Sequence, residues 1–132
     1  MVSLSNHRTM ILNQLNKGLL LIAHGSPKKD ANEEFVSLAN HVQSRAPDFV
    51  VQHAFLDCSQ PDISSGIDLL VDKQVSEIVV LPYFLVAGKH AAHDIAKIVE
   101  EKRKEHRGVA IILKSPVGSS PEMINLILKM FG

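Results

Sequence analysis

No disulfide can form within this chain, because Cys58 is its only cysteine in 132 residues. A lone thiol suits a reducing compartment. Surplus charge is missing too: fourteen Lys and Arg balance fourteen Asp and Glu. With no global field, nothing draws the chain as a whole to nucleic acid or to an anionic membrane. An anionic ligand would have to be met by basic residues placed locally. The first eighteen residues hold no apolar core of the signal-peptide kind. No run approaches the ~20 apolar residues that cross a bilayer. No linker, internal repeat or low-complexity segment interrupts the chain. These absences leave a soluble cytoplasmic protein, with no nucleic-acid or membrane partner, as the expectation.

What is present is an ordinary globular composition, 45% hydrophobic and 21% charged, in a chain long enough for one real core. Apolar runs at 18–23 (GLLLIA), 49–56 (FVVQHAFL), 77–81 (EIVVL) and 109–113 (VAIIL) read as strands. Between them the apolar spacing turns helical. Phe35, Leu38, Ala39 and Val42 share one face, as do Ile63, Ile67, Leu70 and Val71. Ile95, Ile98 and Val99 mark a third helix; Met123, Ile124, Ile127, Leu128 and Phe131 mark a fourth. Asp30 and Glu33 resemble a capping box, and Ser120 before Pro121 a cap for the last helix. Pro82 cannot donate to a ladder, so the third strand is expected to leave regular pairing there. Strict alternation predicts an α/β fold, an open doubly wound parallel four-stranded sheet with helices on both faces. Residues 18–132 form that single domain; residues 1–17 are an extension with a short helix around Met10–Leu15.

In such a sheet, ligands bind beyond the carboxyl ends of the strands. His24 follows the first strand, Asp57 the second, and His90 lies in the loop after the third, at intervals of 33 residues (24 to 57, 57 to 90). All three therefore emerge on one edge, where two imidazoles and a carboxylate make a divalent-metal set with open positions. Most of the seven histidines have plainer readings. His7, His41 and His106 suit a tail, an outer helix face and a charged helix end, and His53 a hydrogen-bonded core position. His24 differs because Gly25 beside it permits close ligand approach, and His90 follows Gly88. His93, one helical turn on, is a substitute for His90. Asp57 has a competing role as a cap for the turn into the second helix.

The stretches LLLIAHGSPKKDANEEF, AFLDCSQPDI and IVVLPYFLVAGKHAAHDI, with the tail PVGSSPEMINLIL, resemble the signature regions of the small CbiX-type sirohydrochlorin chelatases. The similarity runs over residues 18–131 in order and spacing. It implies a chelatase-like fold and insertion of Co(II), or alternatively Fe(II) or Ni(II), into sirohydrochlorin, with no organic cofactor. The resemblance implies cobalt first, and the cobalamin branch of tetrapyrrole synthesis. By that resemblance His24 and His90 handle the metal and share proton acceptance. Asp57, where the family more usually has Glu, orients or charges the site. Lys28, Lys29 and Lys89 are then placed to meet the macrocycle's carboxylates, and Tyr83 and Phe84 to pack on its face.

A histidine phosphatase would need Arg where Ala23 stands, and a dinucleotide-binding loop would need a glycine pattern that HGSPKKD lacks. A non-enzymatic metal or tetrapyrrole carrier would use the same residues without accelerating insertion. One lobe offers a large flat macrocycle only a shelf. A homodimer that closes the cleft is therefore expected, with the Tyr83–Ala87 loop or the last helix at its interface.

Overall fold

A computed structural model describes residues 17–132. The helix expected around Met10–Leu15 lies outside them. Strands and helices alternate: β1 (Lys17–Ala23), α1 (Lys29–Arg45), β2 (Val50–Phe55), α2 (Ile63–Asp72), β3 (Glu77–Pro82), α3 (Lys89–Glu105) and β4 (Ala110–Leu113). A short 3-10 turn (Val117–Ser119) and α4 (Pro121–Phe131) follow. All neighbouring strands pair in parallel, in the order β2-β1-β3-β4. This is the open parallel sheet that the alternation predicts.

The side-chain period of two divides the apolar strand residues between two faces. Leu20 and Ile22 of β1 join Ala54, Ile78, Val80 and Ile111 on one face, under α2 and α3. Ile63, Ile67 and Leu70 of α2, with Ile95 and Val99 of α3, complete that core. Leu21 points the other way, with Phe35 and Ala39 of α1 and Phe55 of β2. Each fully buried Leu, Ile or Phe contributes roughly 1.5–3 kcal/mol, and a one-residue slip would send every one to the wrong face. The register of β1 is therefore firmly set. β3 ends at Pro82, which pairs with Ile22, and the Tyr83 N–H then donates to the Ile22 carbonyl at 2.7 Å. The ladder ends where the sequence places a residue without a donor.

One local expectation is corrected. Asp30 lies inside the first turn of α1, and the position before the helix is Lys28, with no side-chain cap. The capping box is absent because the chain enters the helix two residues earlier. The fourth helix forms, capped by Ser120 with Pro121 in its first turn, yet none of its residues is buried. Its spacing was that of a core helix, but the described chain supplies nothing to cover it. No helix among the described residues is long and apolar enough to cross a membrane.

A polar clamp ties α2 to the end of α3, at the edge opposite the carboxyl ends of the strands. Lys102, buried among apolar neighbours, donates to Asp68 (2.9 Å) and pairs with Glu105 (2.7 Å); His106 Nε2 lies 2.8 Å from Asp68 Oδ1. Burial alone would raise the Asp68 carboxyl, but hydrogen bonds and charge from Lys102 and His106 outweigh it and hold it below its ordinary value. Burial would likewise lower Lys102, yet Glu105 and Asp68 hold it above. A carboxyl depressed in the folded state adds stability above its unfolded pKa of ~3.9, and that stability is lost as pH falls through the folded value. A raised ammonium adds stability below ~10.4, lost as pH climbs through its folded value. Asp68→Ala is expected to lower stability by about 1–2 kcal/mol at pH 7, modest because Asp68 is half-exposed. The gap between variant and wild type should shrink below pH ~3. Urea unfolding at the two pH values measures both; a gap independent of pH would contradict the clamp.

Candidate functional site

Strand order reverses between β1 and β3, since the chain passes from β1 outward to β2 and then returns to β3 on the other side. At such a switch point the loops diverge and leave a crevice beyond the carboxyl ends of the strands. His24 leaves the end of β1 there, exposed, directly after the buried run Leu20–Ile22. Its main chain is held by the segment that follows β2. The Asp57 N–H donates to the His24 carbonyl at 3.0 Å, and the Leu56 N–H to the Ala23 carbonyl at 2.9 Å. Gly25 then turns with φ +93°, and a Cβ there would stand 1.8 Å from the Asp57 carbonyl oxygen. Only glycine fits. This contact is why His24 and Asp57 can sit on neighbouring strand ends.

The His24 ring lies beside the Phe84 ring, centroids 5.8 Å apart and tilted by 47°. Phe84 is only 8% exposed and belongs to the main core. Its carbonyl accepts from the Gly118 N–H at 2.8 Å, which ties the 3-10 turn to the loop after β3. Phe84 is thus a platform under His24 rather than an open surface. Tyr83, 44% exposed, turns the other way and stacks on Phe35 of α1 at 5.8 Å. The pair expected to lie together splits just past the end of β3: Tyr83 joins the α1 side of the sheet and Phe84 the core under α2 and α3.

Asp57 is exposed, and its Oδ1 accepts from the Cys58 N–H at 3.0 Å. The cap of α2 is Asp62, whose side chain accepts from the Ser65 N–H at 2.8 Å. Asp57 therefore braces its own turn and leaves the helix cap to another residue. His90 was expected in a loop; it is the second residue of α3, which starts at Lys89 after Gly88. A Cβ on Gly88 would meet nothing within 4 Å, so open space surrounds this helix start. His93 follows one turn later, also exposed. Neither the cap of α3 nor its first turn offers a side-chain hydrogen bond to the helix's free N–H groups.

Lys28 and Lys29 stand at the start of α1, and Lys89 at the start of α3, all exposed. Lys29 Nζ lies 3.8 Å from Glu33 Oε1, with both side chains mostly in water, a pairing worth little. The loop that carries Lys28 is fixed by a residue the sequence did not single out. Asn32 Oδ1 accepts from the Ser26 N–H (3.0 Å), Asn32 Nδ2 donates to the Ser26 carbonyl (2.8 Å), and Ser26 Oγ accepts from the Lys28 N–H (3.0 Å). A lone polar residue six positions from its partner carries no periodic signal, so only the folded geometry reveals it. Beside this loop a depression of about 450 Å³ is lined by Lys29, Asn32, Glu33, Phe55, Ser59 and Gln60.

Among the described residues, the one trio of acidic, cysteine or histidine ligand atoms within 4.8 Å of each other is Asp68, Glu105 and His106. The Lys102 ammonium already occupies its carboxylates. His24, Asp57 and His90 are not gathered into such a trio. They stand apart along one edge, an arrangement suited to a ligand that itself supplies most donors to an ion, and not to a closed structural cage.

Comparison with known proteins shows what the chain as a whole is similar to. The family model described as CbiX matches residues 18–131. The chain is 33% identical over 112 residues to a sirohydrochlorin cobaltochelatase of Sulfurisphaera tokodaii, covering 85% of this chain and 88% of that protein. It is 26% identical over 113 residues to a chloroplastic sirohydrochlorin ferrochelatase of Arabidopsis thaliana, covering 83% of this chain and 49% of that protein. The sirohydrochlorin chelatase SirB of Bacillus subtilis subspecies spizizenii, solved in complex with cobalt, superposes with a TM-score of 0.75 at 25% identity. That match covers 87% of this chain and 49% of SirB. The chain thus spans about half the length of the plant and Bacillus proteins, and most of the archaeal one.

Proposed function

The chain belongs to the CbiX family, and on that premise we propose that it inserts a divalent metal ion, Co(II) first, into sirohydrochlorin. The observation that supports the reading is that His24, past the end of β1, and His90, in the first turn of α3 after β3, emerge on the same edge of the sheet, beyond the carboxyl ends of the strands. Relatives named for cobalt and for iron insertion both match this chain, so iron, and by the same chemistry nickel, stand as alternatives.

Insertion exchanges two pyrrole N–H protons for one M(II) ion. A neutral imidazole serves both halves: it offers a lone pair to the incoming ion and takes up a departing proton. Two imidazoles with open coordination positions hold the ion loosely enough to release it to four macrocycle nitrogens. His24 and His90 share these roles, and His93 stands one turn behind. Asp57 supplies negative charge beside the ion while bracing the Cys58 turn. The macrocycle is a polycarboxylate, and Lys28, Lys29 and Lys89 meet its rim with charge-assisted hydrogen bonds. Exposed Tyr83 offers an apolar face to the ring; buried Phe84 acts through His24. A second copy completes the cleft, and the exposed lone thiol of Cys58 suits a reducing cytoplasm.

Insertion is read directly from the change in macrocycle absorbance with Co(II), Fe(II) and Ni(II) offered in turn. Acceleration over the protein-free rate, greatest with Co(II), is expected. Tight binding of metal or macrocycle without acceleration would make the chain a carrier instead. The rim has its own test. Lys28→Glu with Lys29→Glu should weaken sirohydrochlorin binding about tenfold or more, and wild-type affinity should fall with added salt. Unchanged affinity would leave the two lysines as a solvated loop.

A further inference from the structure

Between His24 and α1 the chain runs through Gly25, Ser26, Pro27 and Lys28, and two anchors fix its course. The first is main chain, where Gly25 turns against the Asp57 carbonyl. The second is a single side chain. Asn32 Oδ1 accepts from the Ser26 N–H at 3.0 Å, and Asn32 Nδ2 donates to the Ser26 carbonyl at 2.8 Å. One carboxamide thus bridges both main-chain polar groups of Ser26, where a carboxylate could accept but not donate. Ser26 passes the constraint on, since its Oγ accepts from the Lys28 N–H at 3.0 Å. Lys28 precedes α1, and its own side chain caps nothing.

The fold does not require this bridge. Phe35 and Ala39 hold α1 to the sheet, against Leu21 and Phe55. The strand ends are stitched by the Leu56 and Asp57 N–H groups. Asn32 is half-buried and belongs to neither apolar cluster. Asparagine is also a poor helix former, so nothing in α1 itself favours it there. What the bridge fixes is the shape of the loop that leads from His24 to Lys28 and Lys29.

We infer that Asn32 is a positioning residue for the tetrapyrrole: by holding Ser26 it presets the turn from Ser26 to Lys29, so that Lys28 and Lys29 meet the macrocycle's carboxylates with that turn already ordered. This rests on the chelatase reading above and adds the residue that sets its substrate affinity. Asn32 touches neither ring nor ion and acts through Ser26. A lysine on a loose loop must order the loop as it binds, and that lost entropy is subtracted from affinity. In a preset turn the ordering has already occurred during folding. Two hydrogen bonds of ordinary strength correspond to about a tenfold change in affinity. The chemistry itself is spared, because His24 leaves β1 ahead of the turn and is fixed through its own main chain.

Asn32→Ala in the full chain tests this, with insertion rates measured over ranges of sirohydrochlorin and of Co(II), and with metal-free sirohydrochlorin binding beside them. The KM for sirohydrochlorin should rise about tenfold with a matching loss of binding. The kcat and the KM for Co(II) should stay within about twofold of wild type. In a Lys28→Ala, Lys29→Ala background the same change should cost less than about twofold, because the turn then has no charges to present. A merely structural loss would lower kcat, or track melting, and would persist in that background; either result overturns the positioning role. An unchanged KM overturns it too, and leaves the chelatase reading standing. A wild type that neither binds sirohydrochlorin nor speeds insertion overturns that reading itself. Should Asn32→Ala not fold, hydrogen exchange of the wild type decides. Ser26 and Lys28 amides protected before sirohydrochlorin is added support the preset turn; amides protected only in its presence overturn it.

Discussion

His24→Ala should lower the rate of metal insertion by a hundredfold or more while leaving the fold intact. General acid–base catalysis by one positioned side chain contributes about 10²–10⁴, and His24 is assigned ion contact as well. The fold should tolerate the change. The imidazole is exposed, and everything that fixes its position is main chain: the Asp57 and Leu56 N–H bonds to the His24 and Ala23 carbonyls. The loss is the tilted ring contact with Phe84, worth about 0.5–1 kcal/mol. His90→Ala, in the exposed first turn of α3, should behave alike, whereas His93→Ala should change the rate little. Initial rates measured beside thermal unfolding separate the cases. Wild-type turnover in His24→Ala, or a loss that tracks unfolding, would remove the histidine from the chemistry.

Gly25→Ala carries the largest expected cost to the structure. The backbone turns with φ +93°, which an L side chain rarely adopts, and the new Cβ would lie 1.8 Å from a main-chain oxygen of Asp57. A flexible side chain could swing aside; a carbonyl in the β1–β2 stitch cannot. Either the bond from the Asp57 N–H to the His24 carbonyl breaks or the strand ends part. Backbone strain of this kind costs about 1–3 kcal/mol, and the overlap adds to it. We expect a total near 3 kcal/mol and a fall in melting temperature of roughly 10 °C. Insertion should fail with it, because His24 and Asp57 lose their common anchor. Gly88→Ala is the control, at φ −73° with open space around the new methyl, and should leave stability within ~0.5 kcal/mol. Equal melting temperatures for the two variants would show that the close approach is not needed.

Much of this fold was legible because it rests on period. Leu20 and Ile22 against Leu21, or Ile63, Ile67 and Leu70 along α2, declare their faces before any neighbour is known. The site edge was legible for a related reason: in parallel βα units every strand end points the same way, so His24, Asp57 and the chain after Pro82 had to share an edge. What stayed hidden depends on partners distant in sequence. His106 reads as a charged helix end until Asp68, thirty-eight residues away, is folded against it. Asn32 reads as an ordinary helix residue until Ser26 turns back onto it. Tyr83 and Phe84 read as one aromatic pair, but past the end of β3 they turn to opposite sides of the sheet. The last helix shows the limit of periodicity itself. Met123, Ile124, Ile127, Leu128 and Phe131 announce a face that needs cover, without saying what covers it.

The central claim is catalysis of insertion, and turnover tests it most directly. Protein is mixed with a large excess of sirohydrochlorin and Co(II) at pH 7, and the metallated product is counted against protein. The proposal predicts many products per chain, formed faster than in buffer. Product that stops at one per site, or forms no faster than without protein, would contradict it.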